Sequence, residues 1–286
     1  MRDRELGYLL GTRFRRLSWT EWGDAGAPIV ICVHGLTRTG RDFDPLAEAL
    51  ADRFRVVCPD LPGRGRSEWL DDAAAYQPAT YLQALSHLLA AVGGSPDHPV
   101  GWVGTSLGGI LGMIVAAAEG QPIGRLILND IGTHISAAAL ARIATYMAGA
   151  PTEFADLAAL DAHLRQVHAP FGRLTDPQWA HLARTSARAL PNGRLALHYD
   201  PNVTAAVLAG PVVDVDLFPI WRRIAIPRMV IRGVDSDLLD RATTTRMQAD
   251  GATVLEIANA GHAPALMDAD SIRAVRDFLS GGRDAS

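Results

Sequence analysis

Lysine is missing from the 286 residues: all 27 basic side chains are arginine. Without an ε-amine there is no Schiff-base chemistry and no serine–lysine dyad. The arginine bias and the abundant alanine look like the coding preference of a GC-rich bacterial genome. Cysteine is scarce as well. Cys32 and Cys58 lie inside the strand-like runs Ile29 to Val33 and Arg55 to Cys58, where reduced thiols pack as small hydrophobes. There is no His-Glu-x-x-His and no Cys-x-x-Cys, and His163 and His168 are five apart on a helical run, so no metal and no cofactor are expected. No apolar run reaches membrane-spanning length, and Met1 to Glu5 lacks the apolar core of a signal peptide, so a cytoplasmic enzyme is expected. A basic face is also lacking. Net charge is −4, and the densest positive cluster, Arg13 to Arg16, alternates with apolar residues and reads as an exposed edge strand. Nucleic acid and anionic membrane are therefore not expected partners.

The chain is long enough for one large α/β domain, alone or with an insertion, and its 48% hydrophobic and 20% charged residues are those of a folded globule. Strand-like runs at 29–33, 55–58, 100–103, 125–129, 229–232 and 253–257 alternate with helical patterns such as 79–92. Residues 13–22 alternate loosely and end at the turn signal Gly23 to Gly26, which reads as a hairpin of antiparallel strands leading into the first buried strand. Asp44 reads as the N-cap of a helix with Pro45 in its first turn, and Asp270 as the N-cap of a last helix ending near Gly281-Gly282. From Thr133 to Asp216 the sheet pattern stops and helical runs take over, at about 138–148, 153–168 and 176–190. Residues 1–132 and 217–286 are thus expected to form the core, and 133–216 an inserted helical cap.

One stretch carries chemistry. Gly104-x-Ser106-x-Gly108 stands between a buried strand and the apolar helical run Ile110 to Ala118, the context in which a serine is held out at the tip of a tight turn. A side chain at either glycine would collide with the helix or the strand that the turn joins. Acyl transfer by such a serine needs a base, an acid behind the base and donors for the developing oxyanion. His262, in the Gly-His-Ala-Pro loop between the last strand and the last helix, is the candidate base. His34 is the runner-up, but its place before Gly35-Leu36 suits it to building the oxyanion loop. The backbone N–H groups of Leu36 and Leu107 are the expected donors, and His34, Gly35 and Arg38 the candidate substrate contacts.

Three aspartates can supply the acid. Asp237 is preferred, because it follows the penultimate strand and precedes the apolar pair Leu238-Leu239; Asp235 fits a turn residue, and Asp130 fits an acid at the end of an earlier strand or an anchor of the cap. The Gly-x-Gly of Pro59-Asp60-Leu61-Pro62-Gly63-Arg64-Gly65 reads as a structural turn and not a phosphate site.

Taken together, His34-Gly35, Pro59-Asp60-Leu61-Pro62-Gly63-x-Gly65-x-Ser67, Gly104-x-Ser106-x-Gly108-Gly109 and Gly261-His262 resemble the α/β-hydrolase superfamily, in particular its small bacterial esterase-like members with a helical cap. The resemblance covers nearly the whole chain. It implies a mostly parallel eight-stranded sheet flanked by helices, with a lid over the site. It further implies a cofactor-free serine hydrolase acting on a small-molecule ester or lactone, with the oligomeric state left open. Ser106 at the elbow argues against epoxide hydrolase and haloalkane dehalogenase relatives, which use an aspartate there. Cleavage of a carbon–carbon bond in a vinylogous diketone is the alternative reaction, and a ligand-binding receptor on the same fold is a reading of another class.

Overall fold

The computed structural model describes residues 1–281, so Gly282, named in the sequence as near the end of the last helix, lies outside the described residues. Strands β1 (Arg2–Leu10), β2 (Arg13–Trp22), β3 (Ile29–Val33), β4 (Arg55–Pro59), β5 (Val100–Thr105), β6 (Ile123–Asn129), β7 (Arg228–Gly233) and β8 (Thr253–Ile257) form one sheet of order β1-β2-β4-β3-β5-β6-β7-β8. The β1–β2 and β2–β4 pairs are antiparallel, and every pair from β4 to β8 is parallel. The outer strand is β1, not the Arg13 to Arg16 segment, which pairs with β1 throughout. Arg15 is buried there against Glu68 at 2.9 Å and Asp71 at 2.5 Å.

Parallel strands must be covered on both faces, and the side-chain alternation shows how this is done. On β3, Ile31 and Val33 join the core under α2 (Pro78–Val92) and α3 (Leu107–Ala116), while Val30 and Cys32 face α1 (Asp44–Leu50) and the C-terminal helix. Cys58 is likewise buried, as expected of a small apolar packing residue.

Between β6 and β7 the chain leaves the sheet. It forms α4 (Ala137–Ala148), α5 (Leu157–Val167), α6 (Asp176–Ser186), α7 (Pro201–Leu208) and α8 (Phe218–Trp221), and returns through β7 to α9 (Arg241–Ala249), β8 and α10 (Ala269–Leu279). This excursion is not purely helical. The short antiparallel pairs 134–135 with 215–216 and 187–189 with 195–197 tie it together. A separate apolar cluster of Phe154, Leu160, Leu164, Trp179 and Leu182 fills it. Two helix starts differ from expectation. Phe43 caps α1, leaving Asp44 inside the first turn on Arg41, and Asp268 instead of Asp270 caps α10 by accepting from the Ser271 N–H at 2.9 Å.

Candidate active site

Ser106 sits between β5 and α3 with φ of 51°, left-handed backbone that a non-glycine residue adopts only when its surroundings hold it there. The neighbouring glycines provide that hold. A Cβ on Gly104 would overlap the Gly108 carbonyl, and one on Gly108 would overlap the Val33 carbonyl of β3. Trp102 Nε1 donates to the Gly108 carbonyl at 3.1 Å and the Ser106 N–H donates to the Asn129 carbonyl at 3.0 Å, so the elbow is braced from β5 itself and from the neighbouring β6.

The hydroxyl faces His262. Ser106 Oγ and His262 Nε2 are 3.1 Å apart, and His262 Nδ1 is 2.8 Å from Asp130 Oδ2. Asp130 follows β6 directly, is fully buried, and also has left-handed backbone, with φ of 52°. Its Oδ1 accepts from the Gly233 N–H at 2.9 Å and its Oδ2 from Ser236 Oγ at 2.6 Å. Three donors around the carboxylate fix it in place, and its approach to Nδ1 assigns the imidazole proton to that nitrogen.

The preferred acid is therefore displaced. Asp237 is exposed and pairs with Arg142 on α4 at 2.8 Å, and Asp235 is an exposed turn residue whose N–H donates to Ala260 at 2.9 Å. The reason is local. Ser236, between the two, spends its hydroxyl on Asp130, which wraps the loop around that carboxylate and points its neighbours outward.

His34 is fully buried with both ring nitrogens occupied: Nδ1–H donates to the Gly35 carbonyl at 2.6 Å, and Nε2 accepts from the Leu61 N–H at 2.9 Å. Burial pushes the imidazole down to about pH 3, so it stays neutral and serves as a clamp. Two more clamps come from the turn after β4. Arg64 Nε donates to the Leu36 carbonyl at 2.9 Å, and Asp60, its carboxyl raised by burial to about 6, accepts from the Gly40 and Arg66 N–H groups at 2.8 and 3.0 Å. The Gly-x-Gly turn thus holds the loop from Gly35 to Gly40 against the elbow. The Leu36 and Leu107 N–H groups donate to no described residue, the former on the cavity wall and the latter at the first position of α3.

The loop carrying His262 is held from the excursion. The Gly261 N–H donates to the Pro170 carbonyl at 2.8 Å and the Ala265 N–H to the Phe171 carbonyl at 3.0 Å. Asn129 Nδ2 adds a bond to the Pro264 carbonyl at 2.8 Å. Above Ser106 lies a cavity of about 310 Å³ whose wall includes Gly35, Leu36, Arg38, Tyr146, Phe171 and His262. Tyr146 and Phe171, both from the helical excursion, face it, whereas Phe154 and Trp179 pack inside the excursion itself. Asp42 and His168, not singled out in the sequence as site residues, also line it, both bonded to Arg38.

Comparison with known proteins identifies the family and the fold. The description "Alpha/beta hydrolase family" matches residues 30–276. The chain belongs to the alpha/beta hydrolase family. Within it, the chain is similar to a 3-hydroxybutyrate-oligomer hydrolase of Cupriavidus necator, 38% identical over 280 residues and covering 93% of each chain. Among solved structures, a putative hydrolase from Rickettsia typhi aligns with TM-score 0.88 and 31% identity over 98% of both chains. An alpha/beta hydrolase from Novosphingobium aromaticivorans aligns with TM-score 0.85 and 34% identity, again over 98% of both. The mostly parallel eight-stranded sheet is the sheet of this family. No described helix is long and apolar enough to cross a membrane.

Proposed function

We propose that this alpha/beta hydrolase is a serine hydrolase that cleaves a short carboxylic ester or lactone through an acyl-enzyme. The observation that carries the reading is the continuous hydrogen-bonded line Ser106 Oγ, His262, Asp130, at 3.1 and 2.8 Å, opening onto the cavity. Ser106 Oγ attacks the ester carbonyl carbon while His262 Nε2 takes its proton; Asp130 keeps the other ring proton on Nδ1 and stabilises the imidazolium. The Leu36 and Leu107 N–H groups receive the oxyanion. When the tetrahedral centre collapses, its bond to the alkoxy oxygen breaks and His262 returns the proton to the departing alcohol. Water then attacks the acyl-serine, gives its proton to His262, and the acid leaves as Ser106 Oγ regains a proton.

Residues 133–216 act as the cap, supplying the cavity's upper wall through Arg142, Tyr146, His168 and Phe171. The likeness to the 3-hydroxybutyrate-oligomer hydrolase supports a short oligoester of a hydroxy acid as the substrate. The test is a panel of p-nitrophenyl esters with Ser106→Ala alongside. The variant should lose turnover by several orders of magnitude and should no longer be labelled by a fluorophosphonate. Retention of a tenth of the activity would sink the reading.

A further inference from the structure

The cavity wall is largely apolar, with Phe43, Ile143, Met147, Val167 and Leu182 on it, yet one corner is charged. Arg38, only 6% exposed, makes a fork onto Asp42, with Nε to Oδ2 and Nη2 to Oδ1 both at 2.7 Å. Its Nη1 lies 3.3 Å from His168 Nε2, and its guanidinium carbon lies 5.8 Å from the Phe171 ring centre. His168 stacks on Phe171 at 4.4 Å, and burial, with the Arg38 charge beside it, pushes its imidazole well below the usual range. The ring is thus a neutral acceptor for Arg38. A guanidinium has five N–H bonds; these contacts use one on each of its nitrogens and leave one on each Nη without a described partner. The Tyr146 side chain lines the same cavity within the field of Arg38, and its hydroxyl bonds to no described residue.

This corner is built for an oxygen that is neutral. Arg38 and Asp42 cancel in charge and His168 carries none, so a second carboxylate would find no net attraction, whereas a hydroxyl can accept from Arg38 or Tyr146. A hydrocarbon chain pressed there would strip water from the donors and return nothing. The corner also stands beside the nucleophile. A Cβ on Gly35 would lie 3.7 Å from Ser106 Cβ and 4.0 Å from Arg38 Cγ. The Arg142–Asp237 pair, also on the wall but exposed, marks where the cavity opens to solvent, whereas Arg38 is buried. The alcohol departs first and needs the open side; the acyl group stays on the serine and occupies the enclosed one.

We propose that Arg38, held by Asp42 and His168 and joined by Tyr146, forms a subsite for the hydroxyl of a hydroxyacyl group, and that this subsite selects short hydroxyalkanoate esters over plain alkanoates. The assignment rests on the ester hydrolysis by Ser106 proposed above.

The test compares kcat/KM for ethyl 3-hydroxybutyrate and ethyl butyrate, followed by acid release, in the wild type, Arg38→Met and Tyr146→Phe. The wild type should favour the hydroxy ester by about tenfold or more, the discrimination a hydroxyl-binding site gives. Arg38→Met should bring that ratio to about one, mostly through the hydroxy ester, and Tyr146→Phe should lower it by a few fold. Thermal melting confirms that the variants are folded; where Arg38→Met does not fold, the wild-type ratio and Tyr146→Phe carry the test. Equal rates on the two esters in the wild type overturn the subsite, as does an undiminished ratio in folded Arg38→Met, or in Tyr146→Phe where that variant carries the test. So does failure on both esters by a protein whose Ser106 is labelled by a fluorophosphonate. Failure on both without labelling instead strikes the serine-hydrolase reading itself.

Discussion

Asp130 reaches His262 Nδ1 at 2.8 Å from the end of β6, while Ser236, from the loop after the adjacent β7, donates to the same carboxylate oxygen at 2.6 Å. The carboxylate on His262 and its support thus come from neighbouring parallel strands, and the support occupies the loop on which the acid was expected.

Asp130→Asn should lower kcat on p-nitrophenyl butyrate by about four orders of magnitude, because the amide cannot hold the imidazole's tautomer or stabilise its charge. Asp237→Asn should stay within a few fold of wild type, since it breaks only an exposed pair with Arg142, worth at most about 1 kcal/mol. The reverse ranking of the two variants would restore Asp237 as the acid.

Ser236→Ala removes a 2.6 Å donor from a buried carboxylate and an acceptor from the Leu238 and Leu239 N–H groups. A hydrogen bond to a charged group is worth about 1.5–3 kcal/mol, so kcat should fall by roughly 10- to 100-fold. KM should change little. Kinetics at saturating ester, with circular dichroism to check the fold, decide the matter; an unchanged kcat would mean that His262 and the Gly233 N–H hold Asp130 unaided.

Gly108→Ala should be destabilising beyond what the elbow can relax. The added methyl meets the Val33 carbonyl, so β3 and α3 would have to separate in the middle of the sheet. A loss of about 3 kcal/mol or more is expected, read as a drop in thermal midpoint together with loss of ester turnover.

Stability should fall as pH drops below about 6.5, the usual His value. His34, held down to about 3, and His168, held well below its usual range, are neutral in the fold, whereas the unfolded chain takes up their protons first. Their contribution is therefore complete above the unfolded value and is lost on acidification. Asp60 works the other way. With its carboxyl raised to about 6, its protonation favours the fold as pH falls toward the ordinary aspartate range. His163 and His198, also held below the usual range by burial, add to the loss, and Asp44, raised by burial, adds to the gain, so the histidines outweigh the two aspartates and stability falls on acidification. Urea unfolding at pH 7.5, 6 and 5 measures it, and a flat or rising midpoint on acidification would contradict the sign.

The serine, the histidine loop and the sheet were legible because each rests on local chemistry. Ser106 announces itself through Gly104 and Gly108, which the backbone crossing with α3 and β3 requires, and the parallel strands are continuous apolar runs between turn residues. Which aspartate contacts His262 was not legible, because β6 and β7 are adjacent and both end in aspartate-bearing loops. Which aspartate turns inward depends on Ser236, a residue with no motif of its own. The Arg38 corner needs His168, 130 positions away, and could be found only once the cap was folded onto the loop. The strand pairs inside the cap are two and three residues long, too short for an alternation pattern to register.

The Gly261 and Ala265 N–H groups end on the carbonyls of Pro170 and Phe171. The segment that lines the cavity through Pro170 and Phe171 is therefore also the scaffold of the His262 loop, and the two cannot be exchanged as independent modules. Replacing residues 133–216 with the corresponding segment of another family member would remove the two struts of the His262 loop along with the old pocket. A useful chimera would have to keep residues 168–171 with the sheet and place its seams inside the cap, on either side of that short bridge.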